Sequence, residues 1–131
     1  MRLDSNAAFV QLRVELRSGR YVQHMDMALD TGASYVLIPT DVAEDLGFDL
    51  AAAERHITMT TASSVESAPL ITIGRNEALG PSAARIDTVC FDLPEGSSVK
   101  GLLGLSFLKH FDVDVHFRQG VLNIRQAKES I

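Results

Sequence analysis

The sequence has a single cysteine, no long apolar run and no cluster of basic residues, and each absence excludes a class of protein. Cys90 has no second thiol in the chain, so an intrachain disulfide is excluded. Its position in the apolar run at residues 88–91 indicates a thiol packed in the core. No apolar run approaches the length of a bilayer span, so the sequence predicts no membrane-spanning segment.

The charged residues argue against nucleic acid as a partner. The net charge is −5, and the 12 Lys and Arg residues are scattered along the chain. Proteins that bind nucleic acid usually carry a basic patch, which this sequence lacks. Residues 1–8 also lack the charged and then apolar pattern of a secretory signal, so a complete chain of this kind is expected to be soluble and cytoplasmic.

Length and composition indicate one domain that spans residues 1–131. A chain of 131 residues fits one compact domain and is too short for two ordinary ones. With 46% hydrophobic and 22% charged residues, its composition is typical of a folded globular protein.

Alternating polar and apolar residues predict many short strands. Residues 9–17 and 21–29 form one predicted hairpin, and residues 55–61 and 68–73 form a second. Further strands are predicted at residues 35–38, 85–93, 112–117 and 121–125, with a loop at residues 76–84 and short helices at residues 41–46 and 106–110. Many short strands separated by turns predict an all-β barrel or sandwich.

The tripeptide Asp30-Thr31-Gly32 ends the second predicted strand. It places a carboxylate, a hydroxyl and a glycine side by side. Asp and Gly both suit turns, so the tripeptide alone is also compatible with a turn that has no chemistry. The other motifs of the sequence are needed to distinguish a catalytic loop from a simple turn.

The order of motifs along nearly the whole chain resembles the retropepsin-like aspartic proteases, the single-domain, retroviral-type family, and especially its bacterial members. An apolar strand and a short helix follow the segment at residues 29–34, and Gly101-Leu102-Leu103-Gly104 leads into a second short helix. The resemblance implies an all-β fold: a closed, mostly antiparallel β-barrel of the retropepsin type with one or two short helices. It also implies an aspartic endopeptidase that uses no metal or organic cofactor.

Roles for the residues of the loop follow from the same resemblance. Asp30 would be the catalytic carboxylate, and the Thr31 hydroxyl would reach across to the loop of a partner. Gly32 would let the backbone approach a shared water, and Ala33 would leave space for substrate. Ser34 would donate a hydrogen bond to the outer oxygen of Asp30.

The resemblance assigns two further segments. Leu102, Leu103 and Gly104 would pack beneath the loop, although core packing alone explains them equally well. The hairpin tip at residues 60–67 would be a flap, with Thr61, Ala62 and Ser63 binding the substrate backbone. Such tips are often rich in glycine, and this one has none, so ordinary solvated hairpin residues are an equally good interpretation.

A single Asp-Thr-Gly loop is half of a catalytic site. Peptide hydrolysis by this route needs two carboxylates within hydrogen-bonding distance, which share one proton because like charges that close cannot both ionise. The only other candidate, Asp87-Thr88, lacks the glycine and falls in mid-strand, so Asp87 is interpreted as a surface strand residue. The second carboxylate must then come from a second copy, which predicts a homodimer that cleaves peptide or protein substrates.

Other interpretations stay open at this point. The chain fits a non-catalytic, protease-like dimerisation or peptide-binding module of a larger protein, which would not need Asp30. It also fits a small barrel that binds an apolar ligand as a monomer. Tyr35, Val36 and Ile38 are candidates for an apolar substrate pocket, with core packing as the equal alternative. The four histidines match no zinc-binding spacing.

Overall fold

The computed structural model describes residues 1–4, 9–60 and 62–126, most of which form β-strands. The strands are β1 (Gln11–Ser18), β2 (Tyr21–Leu29), β3 (Val36–Ile38), β4 (Arg55–Thr60), β5 (Val65–Ala78), β6 (Ser82–Cys90), β7 (Leu102–Leu103), β8 (Phe111–His116) and β9 (Val121–Gln126). Helix α1 spans Thr40–Asp45, helix α2 spans Leu105–Leu108, and a 3-10 turn spans Leu50–Ala52.

Six strands close into a barrel in the order β1, β2, β7, β3, β6, β5, and β5 pairs back with β1. Strand β4 extends the sheet beyond β5, and β8 pairs with β9 in a separate two-stranded sheet. The predicted closed, all-β barrel with short helices is confirmed. Its pairing is mixed, because β2 runs parallel to β7 and β3 runs parallel to β6 among the otherwise antiparallel strands.

Strand alternation places the core inside the barrel. In β1, Leu12, Val14 and Leu16 are buried and alternate with exposed or half-buried polar residues. Helix α2 contributes Phe107, which is fully buried in the same cluster. Burying such a side chain contributes about 1.5–3 kcal/mol, so the inward face of each strand largely determines its register.

The prediction of a loop at residues 76–84 is wrong. Strand β5 has 14 residues and continues to Ala78, and β6 begins at Ser82, so only a tight turn separates them. Asn76 is fully buried and pairs with Leu16 of β1 and with Ala83 of β6. Barrel closure requires β5 to pair on both sides, and this long-range pairing overrides the low strand propensity of the segment.

Helices of the described residues are short: neither α1 nor α2 has the length and apolarity that a transmembrane span requires.

Candidate active site

The Asp30 loop, residues 30–34, follows directly after β2. The backbone amide of Asp30 donates to the carbonyl of Leu103 over 3.1 Å, which ties the start of the loop to β7. The carboxylate oxygen Oδ1 of Asp30 accepts a hydrogen bond from the amide of Gly32 over 2.9 Å. Asp30 is half-buried, whereas Thr31 and Gly32 are exposed beside it. The loop therefore holds a carboxylate in a defined orientation at the protein surface.

Residues 101–106 lie against the other side of the Asp30 loop. The amide of Leu105 donates to the carbonyl of Ala33 over 2.8 Å, and the amide of Ser106 donates to the carbonyl of Ser34 over 3.0 Å. Leu103 is fully buried in the core, while Leu102 is half-buried. Backbone hydrogen bonds thus fix the loop at its start and at its end.

Gly104 packs tightly against the backbone of residues 33–35. A Cβ atom at this position would lie 2.3 Å from the carbonyl oxygen of Tyr35 and 2.7 Å from that of Ala33. Both neighbours are backbone atoms, which cannot turn away as a side-chain end can. The structure therefore requires glycine here for space, at an ordinary negative φ of −96°.

The partner of the carboxylate differs from the sequence-based expectation. Among the described residues, the hydrogen bond to the Asp30 carboxylate comes from the Gly32 amide, and the exposed Ser34 hydroxyl donates none. The sequence suggested a role for Gly32 only through its small size. A backbone amide is present in almost every residue, so the residue type does not reveal which amide donates to the carboxylate.

The β4–β5 hairpin stands beside the Asp30 loop. Its two strands pair from Arg55 with Leu70 out to Thr60 with Val65. Ala62 and Ser63 at the tip are exposed, and Thr61 lies outside the described residues. Val65, the first residue of β5, is 68% exposed, which is a high value for a valine.

A polar cluster joins the base of this hairpin to the barrel wall. Atom Nη2 of Arg55 donates to Oγ1 of Thr72 over 2.8 Å and to Oδ1 of Asp87 over 3.0 Å. The hydrogen bond from Arg55 holds the pKa of Asp87 below its usual value. Asp87 is thus on the barrel surface, as expected, but it also connects β6 to both strands of the hairpin. Opposite charges on distant strands were the only sequence signal of this contact.

An apolar cavity of about 350 Å³ opens between the Asp30 loop and the hairpin. It is lined mainly by Ala33, Tyr35, Leu37, Ile57, Met59 and Leu102. Tyr35 lines this cavity, whereas Val36 and Ile38 belong to the core cluster and are fully buried. Leu37 was missed because the face of a short apolar strand is known only once its neighbours are known.

Other reactive groups lie apart from this cavity. Cys90 is 1% exposed, and burial raises the pKa of its thiol to about 12. In the described part of the chain, no three histidine, cysteine or acidic side chains are grouped closely enough to hold a metal ion.

The fold matches that of a solved protease. The structure is similar to the crystal structure of a retropepsin-like aspartic protease from Rickettsia conorii, with a TM-score of 0.74. The match covers 97% of this chain and 89% of that chain at 21% sequence identity, so it establishes the retropepsin-like fold.

A family model then supplies the class of protein. The model described as Aspartyl protease matches residues 10–107, and the chain belongs to this family. A search of curated proteins gave no match. The resemblance to bacterial retropepsin-like proteases that the sequence motifs indicated is confirmed.

Proposed function

We propose that the chain is an aspartic endopeptidase that forms one domain over residues 1–131 and is active as a homodimer. The observation that carries the proposal is the half-buried carboxylate of Asp30. It lies in a loop held by backbone hydrogen bonds to Leu103, Leu105 and Ser106 and is oriented by the amide of Gly32. Family membership and fold support the same class of activity.

The proposed chemistry uses one Asp30 from each copy. The two carboxylates share one proton across the two-fold axis. The ionised carboxylate takes a proton from a water molecule, and the protonated one donates a hydrogen bond to the scissile carbonyl. Water oxygen then bonds to the carbonyl carbon, the amide bond breaks, and the leaving nitrogen receives a proton. These steps require no metal or organic cofactor.

Substrate would bind as an extended peptide between the Asp30 loop and the β4–β5 hairpin. An apolar side chain of the peptide would enter the cavity of about 350 Å³ lined by Leu37, Ile57 and Met59. In this proposal the hairpin acts as a flap, and the backbone of Thr61, Ala62 and Ser63 bonds the peptide. Ala33, which also lines the cavity, leaves room beside the carboxylate.

The dimer contact would include the exposed part of the Asp30 loop. Thr31 and Gly32 are exposed in the single copy, and the Thr31 hydroxyl would bond to the partner's loop. The β8–β9 sheet would contribute a second contact. Its Leu122 amide donates to the carbonyl of Met1 over 2.8 Å, so the first residue of the chain lies against β9, and Phe117 after β8 is 77% exposed.

The decisive experiment compares the wild type with Asp30→Asn and with Asp26→Asn. Asp26 is a matched control because it lies on β2 near Asp30, its side chain is 59% exposed, and its ion pair with Arg13 lies at the surface. Cleavage of a mixed-peptide library at pH 4–7 is measured together with dimer mass by light scattering.

We expect Asp30→Asn to stay folded and dimeric and to lose cleavage by at least about a thousandfold, since the substitution removes both carboxylates of the dimer. Asp26→Asn should cleave like the wild type. Full activity in a folded Asp30→Asn variant would contradict the proposal.

The second candidate is a non-catalytic dimerisation or peptide-binding module. The hairpin tip favours it, because residues 60–67 contain no glycine to ease opening and closing. This candidate predicts a dimer that binds peptide with the same affinity in the wild type and in Asp30→Asn, and that cleaves in neither.

A further inference from the structure

Ser106 in helix α2 has a buried hydroxyl that the proposed chemistry does not use. The residue is 7% exposed. Its Oγ accepts a hydrogen bond from the amide of Val36 over 2.8 Å and donates one to the carbonyl of Asp87 over 2.7 Å. The hydroxyl therefore connects the first residue of β3 to strand β6.

The two atoms that bond to this hydroxyl face each other across a parallel strand pair. Val36 is in register with Thr88, and Ile38 is in register with Cys90. In a parallel ladder each residue bonds to the neighbours of its register partner, so the amide of Val36 points towards the carbonyl of Asp87. At the far end of β3 the two strands are joined by a direct backbone hydrogen bond, in which the amide of Phe91 donates to the carbonyl of Ile38 over 3.0 Å.

The Ser106 hydroxyl therefore replaces a direct backbone hydrogen bond at the end of β3 that adjoins the Asp30 loop. Two hydrogen bonds in series, 2.8 Å and 2.7 Å, hold the strands farther apart than one direct bond of about 2.9 Å would. The amide of Ser106 also donates to the carbonyl of Ser34, the last residue of the loop. One residue thus determines both the spacing of β3 and the end of the loop.

We infer that Ser106 is a positioning residue for Asp30, an inference that rests on the proposed function. Its hydroxyl acts as a spacer between β3 and β6 and so fixes where the Asp30 loop lies. Without the hydroxyl, either the gap closes and the loop moves with β3, or the amide of Val36 and the carbonyl of Asp87 stay buried without partners. In the first case the carboxylate leaves its working position, and in the second the end of β3 that adjoins the loop is held less firmly.

The test compares Ser106→Ala with Ser106→Thr, which keeps a hydroxyl, and with the control Thr88→Val. Thr88 is fully buried and is in register with Val36, but its hydroxyl donates over 3.0 Å to Ile86 of its own strand. Thr88→Val thus removes a neighbouring buried hydroxyl that does not touch the loop. If Ser106→Ala fails to fold, Ser106→Cys replaces it, because a thiol keeps weak donor and acceptor functions at longer distances.

We expect kcat to fall about tenfold to a hundredfold in Ser106→Ala, with KM changed less than about threefold, because a small displacement of the reacting group mainly affects the chemical step. Ser106→Thr should recover most of kcat. Thr88→Val should lose stability and keep kcat. A folded, dimeric Ser106→Ala with kcat within twofold of the wild type would overturn the inference, as would an equal loss of kcat in Thr88→Val.

Amide hydrogen exchange separates this inference from the proposed function. In Ser106→Ala the Val36 amide should exchange at least about tenfold faster than in the wild type, because it loses its acceptor, and in Thr88→Val it should not. This readout does not depend on cleavage. If the wild type cleaves no peptide, the proposed function fails, and unchanged exchange at Val36 would independently overturn the role of Ser106.

Discussion

Substituting Gly104 by alanine tests whether the position of the Asp30 loop controls activity. The added Cβ would meet the carbonyl oxygen of Tyr35 at 2.3 Å, the carbonyl oxygen of Ala33 at 2.7 Å and the carbonyl carbon of Tyr35 at 2.8 Å. Ordinary contacts begin near 3.4 Å, so the shortest of these distances has to grow by about 1 Å. Because all three atoms belong to the backbone, the loop itself must move or α2 must withdraw.

Two magnitudes follow from this displacement. Overpacking a tight site typically costs about 1–3 kcal/mol, and contacts with backbone on two residues place Gly104→Ala at the upper end, near 3 kcal/mol. A misplacement of about 1 Å at a reacting group lowers activity by about a hundredfold. Urea unfolding measures the first effect, and peptide cleavage at equal concentrations of folded dimer measures the second.

Gly19→Ala is the matched control for Gly104→Ala. Gly19 has a positive φ of 57° and no atom within 4 Å of its missing Cβ, so alanine there costs about 1–2 kcal/mol of backbone strain and moves nothing near the site. We expect Gly19→Ala to be less stable than the wild type and fully active. A Gly104→Ala variant with wild-type stability and activity would refute the packing argument.

Two further predictions concern groups outside the loop. Asp87→Asn should lower stability at pH 6 by less than about 1 kcal/mol, because both Asp87 and its partner Arg55 are about half exposed and water screens the pair. Since Arg55 lowers the pKa of Asp87, the wild type gains this stability above the ordinary value of 3.8 and loses it as the pH falls through the lowered pKa. Urea unfolding from pH 6 to 2 should therefore show the two proteins converging in acid, and a constant difference would contradict this account. Cys90, 1% exposed and with its pKa raised to about 12, should react with a thiol reagent at least about a thousandfold more slowly in the native protein than in urea. Fast native labelling would show that this end of β6 opens.

Local sequence patterns were enough to predict an all-β fold of short strands and the candidate loop, and the resemblance to retropepsin-like proteases implied the closed barrel. Strands β1 and β2 have eight and nine residues, long enough to be identified, and the alternation in β1 also identifies its inward face. The Asp30 loop was recognisable because its residue types stand in a fixed order after a strand. Both signals lie within a few consecutive residues, and neither depends on which strands become neighbours.

Features that depend on long-range pairing were not predictable. Asn76 is a residue typical of loops, and only barrel closure buries it within β5. Leu37 was not among the predicted pocket residues, because the three residues of β3 are all apolar and the sequence does not show which of them faces the cavity. Ser106 gave no signal at all, since a serine close to the start of a predicted helix usually indicates nothing more than that start.

The most direct test of the central claim mixes wild-type chains with Asp30→Asn chains at constant total concentration and allows the dimers to exchange. If each active site needs one Asp30 from each of two copies, activity follows the square of the wild-type fraction, and an equal mixture retains about one quarter of full activity. We predict this quadratic decrease. A linear decrease, with about one half of the activity left in the equal mixture, would show that one copy suffices and would contradict the shared active site.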